Sequence, residues 1–195
     1  MVSELLTSIV LFINTISGLI FSPYKTMRRF SSTFYSGQVY GVLFFVFSYF
    51  LLSNYFAGRG WGGFISFILT FIPSIIFFYT MSFFTKPKVQ LLHIINTFSF
   101  TLIPTLIWFY LTLFLFISLP PPRSYSSLGI FFSIVYICLS VTIFLWKLTL
   151  LYLGIRFNLK TDFTTTIFLM ILYGMLLVPY SYGLYFLSLS RIPFI

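Results

Sequence analysis

The residues able to do chemistry are few and scattered. The chain has two carboxylates, Glu4 and Asp162, one histidine, His93, and one cysteine, Cys138. Carboxylate-pair catalysis needs two acids whose surroundings push their pKa values apart, and these two stand at opposite ends of the sequence. A zinc centre needs a cluster of Cys, His or carboxylate ligands, for which the chain lacks material. Cys138 on its own closes no internal disulfide. No Gly-x-Ser-x-Gly elbow and no His-Glu-x-x-His pair is present. Gly58-Arg59-Gly60 with Gly62-Gly63 is glycine-rich, but no Lys-Ser/Thr follows, so it reads as a turn and not a phosphate cradle. We therefore expect no catalytic residue, no cofactor-binding residue, no metal ligand and no enzyme activity.

Two ionisable groups remain in or beside apolar sequence. Lys147 lies inside a hydrophobic run near its end. An ionisable residue at membrane depth is a functional-site hypothesis by default, and a lysine within two turns of an interface can also snorkel its ammonium outward. Both readings stay open: snorkelling, or a contact with a lipid headgroup or substrate. His93 opens another run and reads as a neutral structural histidine, with a headgroup contact as the alternative. Lys160 and Asp162 form a loop pair of little energetic weight if exposed. No acid falls inside a hydrophobic run, which argues against a proton-driven pump. No broad polar stripe argues for an aqueous pore.

The elements that must position these groups follow from composition. Hydrophobic types make up 59% of the 195 residues and charged types 7%, against about 25% charged in ordinary soluble domains. Too few polar groups exist to cover a water-facing surface, so the chain reads as an integral membrane protein. Its 29 Phe, 14 Tyr and 3 Trp fit codon bias, since Phe replaces Leu in lipid at small cost; an aromatic ligand cavity is the functional alternative. The 11 Lys and Arg are spread between apolar runs, a pattern of membrane loops and not of nucleic-acid binding.

Five runs approach the ~20 apolar residues that cross ~30 Å of hydrocarbon. They cover about 39–56, 61–84, 94–119, 128–153 and 163–187. Pro73, Pro104 and Pro179 fall inside three of them and are expected to kink the helices, the freed carbonyls being satisfied by neighbouring helices and Ser/Thr hydroxyls. Ser66, Thr70, Ser74, Thr97, Ser99, Thr101, Thr105 and Thr112 are expected to bond between helices. The breaks are Ala57-Gly58-Arg59-Gly60, Thr85-Lys86-Pro87-Lys88, Pro120-Pro121-Pro122-Arg123 and Arg156 to Asp162, with Thr161 or Asp162 capping the last helix.

Residues 1–36 form a separate segment before the membrane domain at 37–195. Glu4, Thr7/Ser8, Asn14/Thr15 and Gly18 draw a polar stripe opposite Leu5, Leu6, Ile9, Phe12, Ile13, Ile16 and Ile20. With Pro23 following, this predicts an amphipathic helix in the headgroup plane, a sixth span being the alternative. Lys25, Arg28 and Arg29 follow as a basic juxtamembrane cluster suited to anionic lipid, at ~1 kcal/mol each. The expected fold is all-α: a five-transmembrane-helix bundle preceded by an amphipathic interfacial helix.

With the N-terminus inside, Lys25, Arg28, Arg29, Lys86, Lys88, Arg156 and Lys160, with Lys147 if it snorkels to that face, fall on the inner side and Arg59, Arg123 and Arg191 on the outer. The positive-inside rule then puts the N-terminus in the cytoplasm and the C-terminus outside.

Two stretches resemble the Yip1 family of small multispanning membrane proteins. Leu92 to Pro104, reading Leu-His-Ile-Ile-Asn-Thr-Phe-Ser-Phe-Thr-Leu-Ile-Pro, is similar to the family's apolar run with a serine shortly before a mid-span proline. Leu145 to Arg156 resembles its Trp, apolar stretch and Leu-Gly-hydrophobic-Arg ending before the last helix. The amphipathic start followed by Ser22-Pro23 is similar to bacterial members. The long polar N-terminus and Asp-Leu-Trp-Gly-Pro-like element of eukaryotic relatives are missing; Phe34-Tyr35-Ser36-Gly37-Gln38 stands there. The resemblance implies a non-enzymatic protein of the bacterial cytoplasmic membrane, an accessory or scaffold for a membrane assembly. Its partners would be anionic lipid headgroups, other membrane proteins or further copies of itself, with Lys25, Arg28, Arg29, Lys147 and Arg156 as the contact candidates. A stand-alone small-molecule or lipid transporter, with a cavity at Pro73, Pro104 and Pro179, is the second expectation. A structural subunit of an energy-transducing complex is the third.

Overall fold

The computed structural model describes residues 2–32, 36–58, 60–85, 89–118 and 127–188, excepting the side chains of 2–9, 36 and 128. The breaks at Lys86-Pro87-Lys88 and Pro120-Pro121-Pro122-Arg123, together with Arg59 and Arg191, lie outside the described residues, as do the side chains of Glu4, Leu5, Leu6, Thr7, Ser8 and Ile9.

Among the described residues eight helical segments follow one another: α1 (Val2–Phe21), α2 (Pro23–Ser32), α3 (Ser36–Ala57), α4 (Gly62–Ser82), α5 (Leu91–Thr101), α6 (Ile103–Ser118), α7 (Ser127–Leu159) and α8 (Phe163–Phe186). Five units are long and apolar enough to cross a bilayer: Gly37–Ala57, Gly62–Ser82, Leu91–Ser118, Gly129–Leu159 and Phe163–Phe186. The third joins α5 and α6.

Each proline acts through the amide it lacks. Pro104 does not kink a continuous helix. The Leu102 amide bonds back to Ser99 O in a tight turn, and α6 restarts at Ile103. Pro104 therefore sits in the first turn of α6, where a missing N–H costs nothing. Pro73 and Pro179 lie within the unbroken α4 and α8. In α4 the carbonyl that Pro73 cannot serve is Leu69 O, four residues back, and the Tyr180 hydroxyl of α8 donates to it at 2.6 Å. One to two turns along the same contact, Ser74 Oγ and the Tyr173 hydroxyl stand 2.8 Å apart, fixing α4 and α8 antiparallel.

α5 is the central element. Every residue from Asn96 to Thr101 is buried, because α2, α3, α4 and α7 all pack on this short helix. Gly154 on α7 makes a close approach: a Cβ there would lie 3.1 Å from Thr97 Cγ2 and 3.5 Å from Met27 Cε and Thr101 Cγ2. This approach draws α2, α5 and α7 together.

α2 enters the bundle. Met27 and Phe30 are buried, the Phe30 ring stacks on Phe100 at 4.3 Å, and Asn96 Nδ2 donates to Phe30 O at 3.5 Å. Lys25, Arg28 and Arg29 stay exposed on its other face. The chain folds back to place it. A Cβ at Gly18 is only 2.7 Å from Thr26 Oγ1, whereas eight residues of straight helix span about 12 Å. The bend falls at Ser22-Pro23. In the described part of α1 the polar stripe turns partly inward: Thr15 and Leu19 are buried, while Ile13, Ile20 and Phe21 are exposed. Small polar side chains permit the close approach to α2 and α3.

α7 runs further than its hydropathy suggests. It continues through Arg156 and Asn158 to Leu159, so the fourth connection shrinks to Lys160-Thr161-Asp162. Lys160 takes a positive φ of 50° there. Ile155 and Leu159 are buried and hold the extra turns in place. The 28-residue third span and the 31-residue fourth measure about 42 and 46 Å, against ~30 Å of hydrocarbon. α2 packs against both spans, on α5 and on α7.

Candidate functional site

The candidate site is a seam along which α5–α6 and α7 face each other. Thr97, Thr101, Thr105, Trp108 and Thr112 recur at spacings of three and four on one side, as do Tyr136, Ser140, Lys147, Leu151, Gly154 and Asn158 at such spacings or their sum on the other. Both patterns describe one face of a helix. Cross-helix bonds set the register. Thr112 Oγ1 and the Tyr136 hydroxyl are 3.2 Å apart, Trp108 Nε1 donates to Ser140 Oγ at 3.1 Å, and Thr97 Oγ1 donates to Asn158 Oδ1 at 3.3 Å. Thr101 meets Gly154 between them.

This register puts Lys147 level with Thr105, midway between the Thr101/Gly154 and Trp108/Ser140 contacts. The ladder is open there. Thr105 Oγ1 is buried without a hydrogen-bond partner. Lys147 is half-buried and lies twelve residues, about 18 Å, from the end of α7.

A pocket adjoins this gap on the α2 side. It is a partly open cavity of about 20 Å³, room for about one water, between α4, α5 and α7, with Phe78, Phe98, Thr101, Leu151, Ile155 and Asn158 among its walls. None of Pro73, Pro104 and Pro179 lines it; the prolines are instead absorbed by the Tyr180 bond and the α5–α6 turn. Asn158 is nine-tenths buried and spends its oxygen on Thr97.

The basic candidates gather at one end. Tyr24 of α2 meets Phe157 of α7 edge-on at 4.9 Å, which brings the Lys25 turn beside Arg156. The Arg156 guanidinium donates to the Tyr152 hydroxyl at 2.9 Å. At the start of α8, Asp162 occupies the N-cap position and accepts from the Thr165 hydroxyl; this bond holds its carboxyl below the usual range. Lys147 stands apart from this basic group, half-buried along α7.

Most span hydroxyls serve their own helix. Thr70, Ser74, Ser99, Thr101 and Thr112 donate to carbonyls three or four residues back. Of the expected interhelical bonds, Ser74, Thr97 and Thr112 make them; Ser66 Oγ and Thr105 Oγ1 have no partner. Asn158, Gly154 and Met27 were passed over in the sequence. The spacing Lys147-Gly154-Asn158 was the signal that could have found the first two.

These features define an all-α integral membrane protein, a five-transmembrane-helix bundle with a shorter apolar helix at its N-terminus. No family model, curated protein or solved structure matches the chain.

Proposed function

We propose that the chain is a non-enzymatic multispanning membrane protein of Yip1 type that serves as an accessory or scaffold within a larger membrane assembly, in the bacterial cytoplasmic membrane. In this reading the α2 end faces the cytoplasm. Lys25, Arg28, Arg29 and Arg156 contact anionic headgroups there, at ~1 kcal/mol per basic residue.

One observation carries the proposal: no residue in the most apolar eighteen-residue window of the fourth span is buried. Ile134, Ile137, Val141 and Phe144 all project outward from α7. A helix held along one edge leaves a long apolar surface for lateral contacts. Helix association in lipid draws on packing and hydrogen bonds, and such a face supplies the packing area.

The test is native mass spectrometry after mild detergent extraction from the source membrane, with crosslinking through cysteines at Ile134 and Val141 in a Cys138→Ser background. A crosslinked partner or further copy is expected. A lone chain, uncrosslinked at both positions, overturns the reading. Reconstituted vesicles in which this chain alone moves lipid or solute favour the stand-alone transporter.

A further inference from the structure

We propose that α1 is a sixth membrane-crossing helix: it enters the hydrocarbon beside α3, its outward face lies against lipid acyl chains, and its Val2 end emerges on the opposite side of the bilayer from α2.

The first observation is depth. Phe12 of α1 lies in a groove of α3. Its ring carbons Cδ2 and Cε2 would stand 3.2 and 3.3 Å from a Cβ on Gly41, and its ring stacks on Phe45 at 5.6 Å with 7° between the planes. Phe45 is nine residues from the start of α3 and twelve from its end, about 13 and 18 Å. The Tyr110 hydroxyl donates to Phe45 O at 3.0 Å. Two residues before Tyr110, Trp108 bonds Ser140, well inside the Gly129–Leu159 span. Phe45 therefore sits near the middle of the bundle. A helix in the headgroup plane sinks its apolar face only about 5–10 Å, so Phe12 lies deeper than that placement reaches.

The second is direction. At its other end α1 meets α2, where a Cβ on Gly18 would stand 2.7 Å from Thr26 Oγ1. α2 packs on the last turns of α7: Tyr24 meets Phe157, and Met27 Cε lies beside Gly154. From Gly18 to Phe12, α1 thus runs from the α2 end of the bundle towards its middle, antiparallel to α3. It is one unbroken helix, Val2–Phe21. The residues from Val2 to Leu11 carry it about 15 Å past Phe12, close to what remains of α3. Its 20 residues measure about 30 Å, the thickness of the hydrocarbon.

The third is the face left open. Val10, Leu11, Ile13, Ile20 and Phe21 are exposed. Tyr40 and Phe44, beside the groove on α3, are exposed as well, so the two helices share one apolar surface that α3 already presents to lipid. Asn14 and Ser17 face outward in the half of α1 nearest α2, within about 10 Å of that end. No Lys or Arg precedes Lys25, and the one acid, Glu4, falls in the first turn of α1. The interior of the helix therefore carries no charged residue, as a span requires. The inference rests on the membrane placement alone and stands whether or not the chain has a protein partner.

The test uses the full-length protein in sealed vesicles, with single cysteines in a Cys138→Ser background and a membrane-impermeant maleimide. Ser3→Cys is expected to react from the same side as Trp61→Cys, and Lys25→Cys from the other. Val2→Cys repeats the measurement, so a folding fault at one position does not decide it. Reaction of both from the Lys25→Cys side, or of neither from any side, overturns the crossing. A nitroxide on Ile13→Cys in vesicles holding this chain alone reads what covers the face. More frequent collision with oxygen than with a water-soluble nickel chelate is expected of acyl chains. The reverse, or protection from both, places water or protein there and overturns the proposal.

Discussion

The Tyr180 hydroxyl on α8 donates to the Leu69 carbonyl on α4 at 2.6 Å, the carbonyl that Pro73 leaves without its helical amide. One helix supplies the hydrogen bond that another lacks, in a solvent that cannot. Tyr180→Phe should destabilise the bundle by about 1–2 kcal/mol, measured by denaturant unfolding in detergent micelles. Pro73→Ala restores an amide to Leu69 O and should remove most of that loss in the double variant. Equal losses with and without Pro73 would show that the hydroxyl serves something else.

The contact at Gly154 is tight enough to have a sign. A Cβ there meets Thr97 Cγ2 at 3.1 Å, so Gly154→Ala should cost about 1–2 kcal/mol by overpacking. Thr97→Ser deletes that methyl and should recover part of the loss, a coupling that a double-variant cycle measures. Additive losses would place the strain at Met27 or Thr101.

Phe30 anchors α2. It is buried and stacked on Phe100 with 4° between the ring planes. Phe30→Ala should cost about 3–5 kcal/mol, the range for a buried aromatic truncated to alanine. It should also release α2, so that a cysteine at Met27 reacts with a thiol reagent it otherwise escapes. Continued protection of that cysteine would show that α2 is held by other contacts.

Asp162 gives a pH dependence with a definite sign. Its folded pKa is depressed, first by the Thr165 hydroxyl. A carboxyl depressed on folding contributes stability that is present above the unfolded pKa of about 3.9, and loses it as pH falls through the lower folded value. Thr165→Val should flatten this acid limb in unfolding curves recorded across that range. An unchanged limb would assign it to another group.

Much of this architecture was legible along the chain, because ~20 apolar residues between turn signals need no tertiary information. The five crossings follow from that pattern. The end of α7 did not follow. Arg156, Asn158, Lys160 and Asp162 read as a polar loop, yet Tyr152 takes the Arg156 guanidinium and Thr97 takes the Asn158 side chain, so the helix continues. Proline positions were legible but their consequences were not: whether Leu69 O finds a donor depends on a tyrosine over a hundred positions away. The burial of α2 was hidden by its three basic residues, since Met27 and Phe30 make only a narrow apolar stripe. The open rung at Thr105 and Lys147 needed the register between two helices, which their separate sequences do not contain.

The account rests on five passes through a bilayer with α2 and the α7–α8 turn on one side. Single cysteines at Lys25, Lys160, Trp61 and Ser188, each in a Cys138→Ser background, can be labelled in sealed right-side-out vesicles with a membrane-impermeant maleimide. The account expects Trp61→Cys and Ser188→Cys to react from outside, and Lys25→Cys and Lys160→Cys to react only after the vesicles are opened. Labelling of Lys160→Cys from the same side as Trp61→Cys would contradict it.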